Sequence, residues 1–65
     1  MTIQNKIKAL RMEKNVTQEQ LAQAVGVSRQ TIVAIEKGNY IPSLLLAIKL
    51  ARFFGIAVET LFSLK

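Results

Sequence analysis

The sequence contains no cysteine, histidine or tryptophan, all four of its acidic residues are glutamates, and its 65 residues include one proline and three glycines. Without cysteine there are no disulfide bonds, and the zinc ligands other than glutamate are missing. A nucleophile relay of the Ser-His-Asp or Cys-His type cannot be assembled either. We therefore expect no metal, no cofactor and no enzymatic activity.

Long hydrophobic runs are also missing. The most apolar stretch, residues 41–48, is followed closely by Lys49 and Arg52, so it falls well short of the ~20 residues that cross a membrane. The first residues carry Lys6 and Lys8 with no apolar segment behind them, unlike a secretory signal. We expect a soluble, cytoplasmic protein with no membrane partner.

The chain is rich in apolar residues and in positive charge. Its hydrophobic share of 51% is typical of globular rather than disordered chains, and its length suits a single domain over residues 1–65. Nine lysines and arginines against four glutamates give a formal net charge of +5. A small basic domain attracts polyanions, of which nucleic acid is the commonest, although charge can also serve solubility alone.

Apolar residues recur at the spacing of one helix face, as Ile3, Ile7 and Leu10 do, and start and stop residues separate the segments. Thr17 and Gln20 fit a capping box at the start of the second segment. No segment alternates apolar and polar residues as a strand would. The pattern predicts an all-α domain of five helices, at about residues 2–14, 17–25, 28–37, 43–54 and 58–64.

The connection between the second and third helices is the most informative segment. Only about three residues join these helices, and one of them is Gly26, so the helices must cross steeply rather than lie antiparallel. A steep crossing needs a small residue at the contact, which Ala22 supplies. We expect Val27 to point inward and fill the angle between the two helices.

Several stretches of the chain follow the residue order of a known family: 10–11 (LR), 17–22 (TQEQLA), 26–32 (GVSRQTI), 35–38 (IEKG), 40–43 (YIPS) and 54–62. The sequence thus resembles the Cro and phage-repressor type (XRE-like) of helix-turn-helix family. A helix-turn-helix match alone is weak, but this one extends over five helices. It implies a lambda-repressor-like DNA-binding domain with the helix-turn-helix at about residues 18–37 and the third helix in the major groove.

The same resemblance implies DNA contacts for individual residues. Gln18, at the start of the second helix, would contact a phosphate, while Lys37 and Asn39 would contact the backbone and fix the register. Bases would be read from the start of the third helix, because arginine can pair with guanine, glutamine with adenine, and valine can touch a thymine methyl group. The implied base-reading residues are Ser28, Arg29, Gln30 and Val33.

Each of these roles has a structural alternative. Gln18 could be an ordinary first residue of a helix, and Arg29 and Gln30 could be solvated positions beside a cap. Val33 could equally pack on a neighbouring helix. Lys37 also suits the end of a helix, because the helix dipole favours a cation there.

Other positions have implied structural roles. In the family, the residues matching Arg11 and Glu36 form an ion pair that ties the first helix to the end of the third. Two positions depart from the family pattern. Ala34 cannot hydrogen-bond a base where a polar residue is frequent, so DNA shape would supply more of the specificity. Ala57 stands where a capping serine or a proline is common, so we expect the last helix to fray in the monomer.

Apolar residues are more numerous than a core of this size can cover. Leu44, Leu45, Leu46 and Ile48 spread around more than one face of the fourth helix. The family commonly forms a two-fold contact near its C-terminus, which presents two recognition helices about one DNA turn apart. We predict a homodimer on a pseudo-palindromic site, with the alternative that these residues pack inside. The predicted interface consists of Phe53, Ile56, Phe62 and Leu64.

Three functions are consistent with the sequence. The first is a sequence-specific regulator of transcription that binds double-stranded DNA and represses by occlusion. The second is an antitoxin-like autoregulator that binds DNA and also masks a toxin as its protein partner. The third is a helical adaptor for protein interactions without DNA binding, against which the polar, basic start of the third helix (Arg29 and Gln30) argues.

Overall fold

The computed structural model describes residues 2–65, which form five helices and two short strands. The number of helices is as predicted, and the domain is mostly helical. None of the helices in this part of the chain is long and apolar enough to cross a membrane. In chain order the elements are β1 (Ile3–Asn5), α1 (Ile7–Glu13), α2 (Gln18–Val25), α3 (Arg29–Glu36), α4 (Leu44–Phe54), α5 (Val58–Leu61) and β2 (Phe62–Leu64).

Polar side chains cap the starts of α2, α3 and α4. Thr17 Oγ1 accepts a hydrogen bond from the Gln20 backbone N–H at 3.0 Å, and Gln20 Oε1 accepts one from the Thr17 N–H at 2.9 Å, so the predicted capping box precedes α2. Ser28 and Ser43 accept hydrogen bonds at the starts of α3 and α4. These bonds satisfy N–H groups that a first helical turn leaves without partners.

The two ends of the chain differ from the prediction, because they form a sheet instead of helical turns. β1 and β2 pair antiparallel with Ile3 opposite Leu64, and the backbones of Thr2 and Lys65 exchange two hydrogen bonds of 2.8 Å. The prediction of a chain without strands is therefore wrong, and α1 and α5 are shorter than predicted. Strands of three residues are too short to show a clear alternation of apolar and polar positions.

Asn5 explains why α1 does not begin nearer the start of the chain. Its Oδ1 accepts a hydrogen bond from the Ile7 N–H at 3.2 Å, and its Nδ2 donates to the Ile35 carbonyl at 2.9 Å. The side chain therefore partners the first N–H of α1 and ties the end of β1 to α3. Ile3, which shares helical spacing with Ile7, lies in β1 and is 37% exposed.

All five helices contribute to one core. Where α2 and α3 cross, Ala22 is fully buried and Val27 packs against the core, as predicted. Truncating a fully buried side chain to alanine costs about 2–5 kcal/mol, so the inner face of each helix holds that helix in place. The large side chains that are fully buried are Ile7, Leu21, Ile32, Ile35, Leu50 and Leu61.

Candidate nucleic-acid interface

A three-residue turn, Gly26 to Ser28, joins α2 to α3 and fixes the angle between them. Gly26 has a φ of 76°, in the left-handed region that favours glycine. Its N–H donates to the Gln23 carbonyl at 3.3 Å, and the Val27 N–H donates to the Ala22 carbonyl at 3.0 Å, the two bonds of a Schellman motif. Because Ser28 then caps α3, a hydrogen-bonded turn determines where α3 begins.

The outer face of α3 begins with exposed polar side chains. Arg29 and Gln30 are exposed, whereas Ile32 and Ile35 on the opposite face are fully buried. The burial of one face prevents α3 from rotating about its axis without losing core contacts. The two side chains with the best chemistry for reading base edges are thus presented from a fixed helix.

Ser28 and Val33, the other predicted base-reading residues, are more engaged with the protein. Ser28 Oγ accepts a hydrogen bond from the Thr31 N–H at 3.2 Å and lies 3.0 Å from the Thr31 hydroxyl. Because two hydroxyl groups share one hydrogen bond, one proton of the pair remains for an outside acceptor. Val33 and its neighbour Ala34 are half-buried.

The predicted backbone-contact residues lie at the two ends of the helix pair. Gln18, the first residue of α2, is half-buried, and its Nε2 donates a hydrogen bond to Glu36 Oε1 at 3.1 Å. Lys37 and Asn39 follow α3 and are exposed. The Asn39 N–H donates to the Ala34 carbonyl at 2.9 Å, which fixes the chain where it leaves the helix.

A part-buried ion pair ties α1 to the end of α3, as predicted. Arg11 Nε lies 2.7 Å from Glu36 Oε2, and the two side chains are 12% and 4% exposed. Arg11 Nη2 donates to Glu36 Oε1 at 3.3 Å, and Nη1 donates to the Val16 carbonyl at 2.9 Å. Within residues 2–65 this is the sole ion pair, so Arg29 and Lys37 leave an uncompensated positive charge at each end of α3.

Sequence reasoning identified Gln18 and Glu36 separately and missed the hydrogen bond between them. The two residues are 18 positions apart, and the bond shows that the first residue of α2 and the last residue of α3 lie side by side in the fold. The short turn between the two helices predicts neither this contact nor the direction of either side chain.

The predicted dimer residues differ in accessibility. Leu64 in β2 is 67% exposed. Phe53, Ile56 and Phe62 are half-buried and pack against the core. Part of each of these three side chains is therefore already covered within one chain.

Leu64 borders one cleft with Ile3 and Ile41, and a neighbouring cleft holds further exposed apolar side chains. Ile41, in the loop before α4, is 65% exposed, and Leu44, at the start of α4, is 73% exposed. They border a cleft of about 300 Å³ together with Ile3 and Phe62. Leu46, by contrast, is 7% exposed and belongs to the core. The apolar surface, as we use the term, consists of Ile3, Ile41, Leu44, Phe62 and Leu64.

Known proteins resemble the chain in sequence and in fold. The chain matches the helix-turn-helix family over residues 7–61. It is 58% identical over 60 residues to an uncharacterized HTH-type transcriptional regulator of Methanocaldococcus jannaschii, with 92% of this chain and 91% of that one covered. It is 41% identical over 59 residues to the transcriptional repressor RstR of the cryptic phage CTXphi from Vibrio cholerae, with 91% of this chain and 53% of that one covered.

Among solved structures, the restriction-modification controller protein C.AhdI from Aeromonas hydrophila superposes with a TM-score of 0.78 at 31% identity, over 85% of this chain and 83% of that one. The similarity therefore covers the helix pair and the helices that support it, not the turn alone. The chain belongs to the helix-turn-helix family of the Cro and phage-repressor type, whose members are DNA-binding transcriptional regulators and not enzymes.

Proposed function

We propose that this protein, as a single domain, binds a pseudo-palindromic operator as a homodimer and represses transcription there by occlusion. The observation that carries the proposal is the outer face of α3. Arg29 and Gln30 are exposed at its first turn, while Ile32 and Ile35 are fully buried on the other side. A helix fixed in this way, with arginine and glutamine at its N-terminal end, suits the major groove. The DNA-binding helix-turn-helix would consist of residues 18–37.

The exposed side chains have the chemistry for base reading. Arg29 can donate two hydrogen bonds to guanine O6 and N7, and Gln30 can pair with adenine N6 and N7. The Ser28 hydroxyl can serve as a further donor or acceptor, and Val33 can contact a thymine methyl group. Because Ala34 offers no polar group, base contacts are few and the shape of the DNA would supply part of the specificity.

Gln18, Lys37 and Asn39 would hold the phosphate backbone on either side of α3. Such contacts fix the register of the protein on DNA without reading sequence. Lys37 neutralises a phosphate and releases a counterion, so it would contribute to the salt dependence of binding. Gln18 and Asn39 carry no charge, so they would add affinity without adding salt dependence.

The apolar surface supports the homodimer. Ile41 lies shortly after Lys37 in the chain, and it borders a second cleft with Gly38, Ile3 and Leu64. A two-fold contact at this surface would bring the C-terminal ends of two α3 helices near each other, so that both helices face the same side of the DNA.

Of the predicted interface, the proposal gives the central place to Phe62 and Leu64, which belong to the apolar surface. Phe53 and Ile56 contribute less, because the core of the same chain already covers part of each side chain.

An antitoxin-like autoregulator is the second candidate, since the apolar surface could be covered by a toxin instead of a second copy. In both cases the protein would act in the cytoplasm.

Selection of preferred sites from a random pool of duplex DNA tests the proposal. We expect a two-fold-symmetric site bound about 10³-fold or more tightly than random DNA. Arg29→Ala should relax the preference at one position in each half-site. Arg52→Ala, which removes an exposed arginine near the end of α4, is the matched control and should keep the preference intact. Equal binding to all sequences would overturn the proposal.

A reporter promoter that overlaps the selected site then tests repression. Expression should fall when the protein is supplied and recover with the Arg29→Ala variant. A rise in expression would identify an activator instead. A toxin that copurifies and competes with self-association would favour the second candidate.

A further inference from the structure

We propose that Glu36 is a positioning residue of the DNA interface, which orients the Gln18 carboxamide toward a backbone phosphate with the support of Arg11. The inference rests on the proposed function, since it assumes that Gln18 contacts DNA. If the ion pair with Arg11 were its only role, the Glu36 carboxylate would be purely structural. The inference gives this carboxylate a role in DNA binding as well.

Three helices meet at this one carboxylate. Glu36 is the last residue of α3, Gln18 is the first residue of α2, and Arg11 lies in the last turn of α1. Glu36 Oε1 accepts hydrogen bonds from Gln18 Nε2 at 3.1 Å and from Arg11 Nη2 at 3.3 Å, and Oε2 accepts one from Arg11 Nε at 2.7 Å. All these bonds are part-buried, so water competes weakly for them.

The chemistry of the carboxylate fixes which end of the Gln18 amide faces it. An ionised carboxylate accepts hydrogen bonds and cannot donate, so it contacts the amide nitrogen and not the amide oxygen. The nitrogen carries two protons and Glu36 engages one of them. The second N–H is therefore held in a defined direction and remains available to a phosphate oxygen at the start of α2.

Holding the amide in advance lowers the cost of binding. A free glutamine side chain is among those that lose most rotamer entropy when they are ordered. A side chain that is already ordered in the unbound protein does not lose this entropy on the DNA, which is the general advantage of preorganisation.

Arg11 makes the arrangement compatible with a phosphate nearby. An isolated Glu36 carboxylate would repel the DNA backbone, but the bidentate hydrogen bonding with Arg11 neutralises the carboxylate charge. Arg11 also donates to the carbonyl of Val16, which immediately precedes the cap residue Thr17. The same guanidinium therefore fixes both the anion that orients Gln18 and the loop from which α2 starts.

The test is the effect of Gln18→Ala on DNA affinity in two backgrounds, wild type and Glu36→Gln. In the wild type we expect a loss of about tenfold (about 1.4 kcal/mol), equal on operator and random DNA, with an unchanged salt slope because the contact is neutral. In the Glu36→Gln background the same substitution should cost less than twofold, because an amide at position 36 can donate as well as accept and no longer fixes which end of the Gln18 amide faces it. Comparing one substitution in two backgrounds cancels the effect of the charge change itself.

The matched control is Gln23→Ala, which removes an exposed glutamine from the same helix and should leave affinity unchanged in both backgrounds. A tenfold loss from Gln18→Ala in both backgrounds would overturn the positioning role while leaving the proposed function intact. No loss in the wild type would overturn it too, since there would then be no contact to position.

A second measurement needs no variant that could fail to fold. ¹⁵N relaxation of side-chain amide groups in the free wild-type protein should show that the Gln18 amide is restricted on the ps–ns timescale relative to those of Gln23 and Gln30. Equal mobility of the three amides would refute the inference whether or not the protein binds an operator.

Discussion

Two surfaces of this small domain carry opposite chemistry, and they differ in how they are supported. The outer face of α3 exposes Arg29 and Gln30, whereas the apolar surface exposes Ile41, Leu44 and Leu64. Ile41 and Leu44 follow α3 closely in the chain, whereas Leu64 comes from β2. The first surface suits a polyanion and the second suits a protein, so in the proposed function one surface recognises DNA and the other assembles the dimer.

The support beneath these surfaces differs as well. α3 begins at a Schellman turn and a serine cap, is anchored by two fully buried isoleucines, and ends at a part-buried ion pair. The apolar surface lies on a loop, on the first residue of α4 and on two three-residue strands. A single chain therefore completes the outer face of α3, the proposed DNA-binding face, while the apolar surface is the part that a second copy would complete.

The largest effect on stability is expected at the ion pair under the DNA-binding face. Arg11→Met should lower the free energy of unfolding by about 3–5 kcal/mol, because it leaves the Glu36 carboxylate, 4% exposed, without its positively charged partner. Urea unfolding followed by circular dichroism measures this loss. Unchanged stability would show that the support of α3 does not depend on the pair.

Arg52→Met is the matched control for charge and shape, because Arg52 is exposed on α4. It should change stability by no more than about 0.5 kcal/mol. Similar losses of stability from both variants would mean that the ion pair gives α3 no more support than an exposed arginine gives α4.

The next effect is expected on the apolar surface. Leu44→Glu should leave the fold of one chain intact, because Leu44 is 73% exposed and lies outside the core. It should abolish the dimer in sedimentation experiments at tens of micromolar and weaken operator binding about 100-fold (about 2.7 kcal/mol), since a charge would be buried against its own copy.

Met12→Glu places the same charge at a side chain that is 60% exposed on α1, outside the apolar surface, and should leave the dimer unchanged. If Leu44→Glu also remains dimeric, the proposed interface is wrong and the two surfaces do not divide recognition from assembly.

The difference in support also explains how far the sequence predicts the structure. The signals of α2 and α3 are local: the Thr17 capping box, Gly26 and the Ser28 cap each act within a few residues, and each is observed. The sheet joins Ile3 to Leu64 across almost the whole chain, and no local pattern encodes such a pairing. The helical spacing of Ile3 and Ile7 even predicts a helix where the structure has the strand β1.

The candidate site shows the same limit. The family resemblance names Gln18 and Glu36, but the direction of each side chain depends on where three helices converge. Three residues of the apolar surface were singled out from the sequence as surplus apolar residues: Leu44, Phe62 and Leu64. Ile41 could not be predicted to belong to it, because its exposure follows from the path of a loop whose neighbours are the two strands.

The smallest effect is expected at the start of α5, near the less firmly supported end of the chain, where a helix cap is missing. Ala57 precedes α5 with φ of −72° and ψ of 151° and makes no capping hydrogen bond, whereas Ser28 has nearly the same backbone, φ −76° and ψ 156°, and caps α3.

Ala57→Ser should therefore raise the free energy of unfolding by about 0.5–1 kcal/mol, which shifts the Tm of a domain this size upward by a few degrees. Ser43→Ala, which removes the cap of α4, should lower stability by about 1 kcal/mol. A Tm unaffected by Ala57→Ser would mean that the fully buried Leu61, and not the start of α5, determines the stability of this end of the fold.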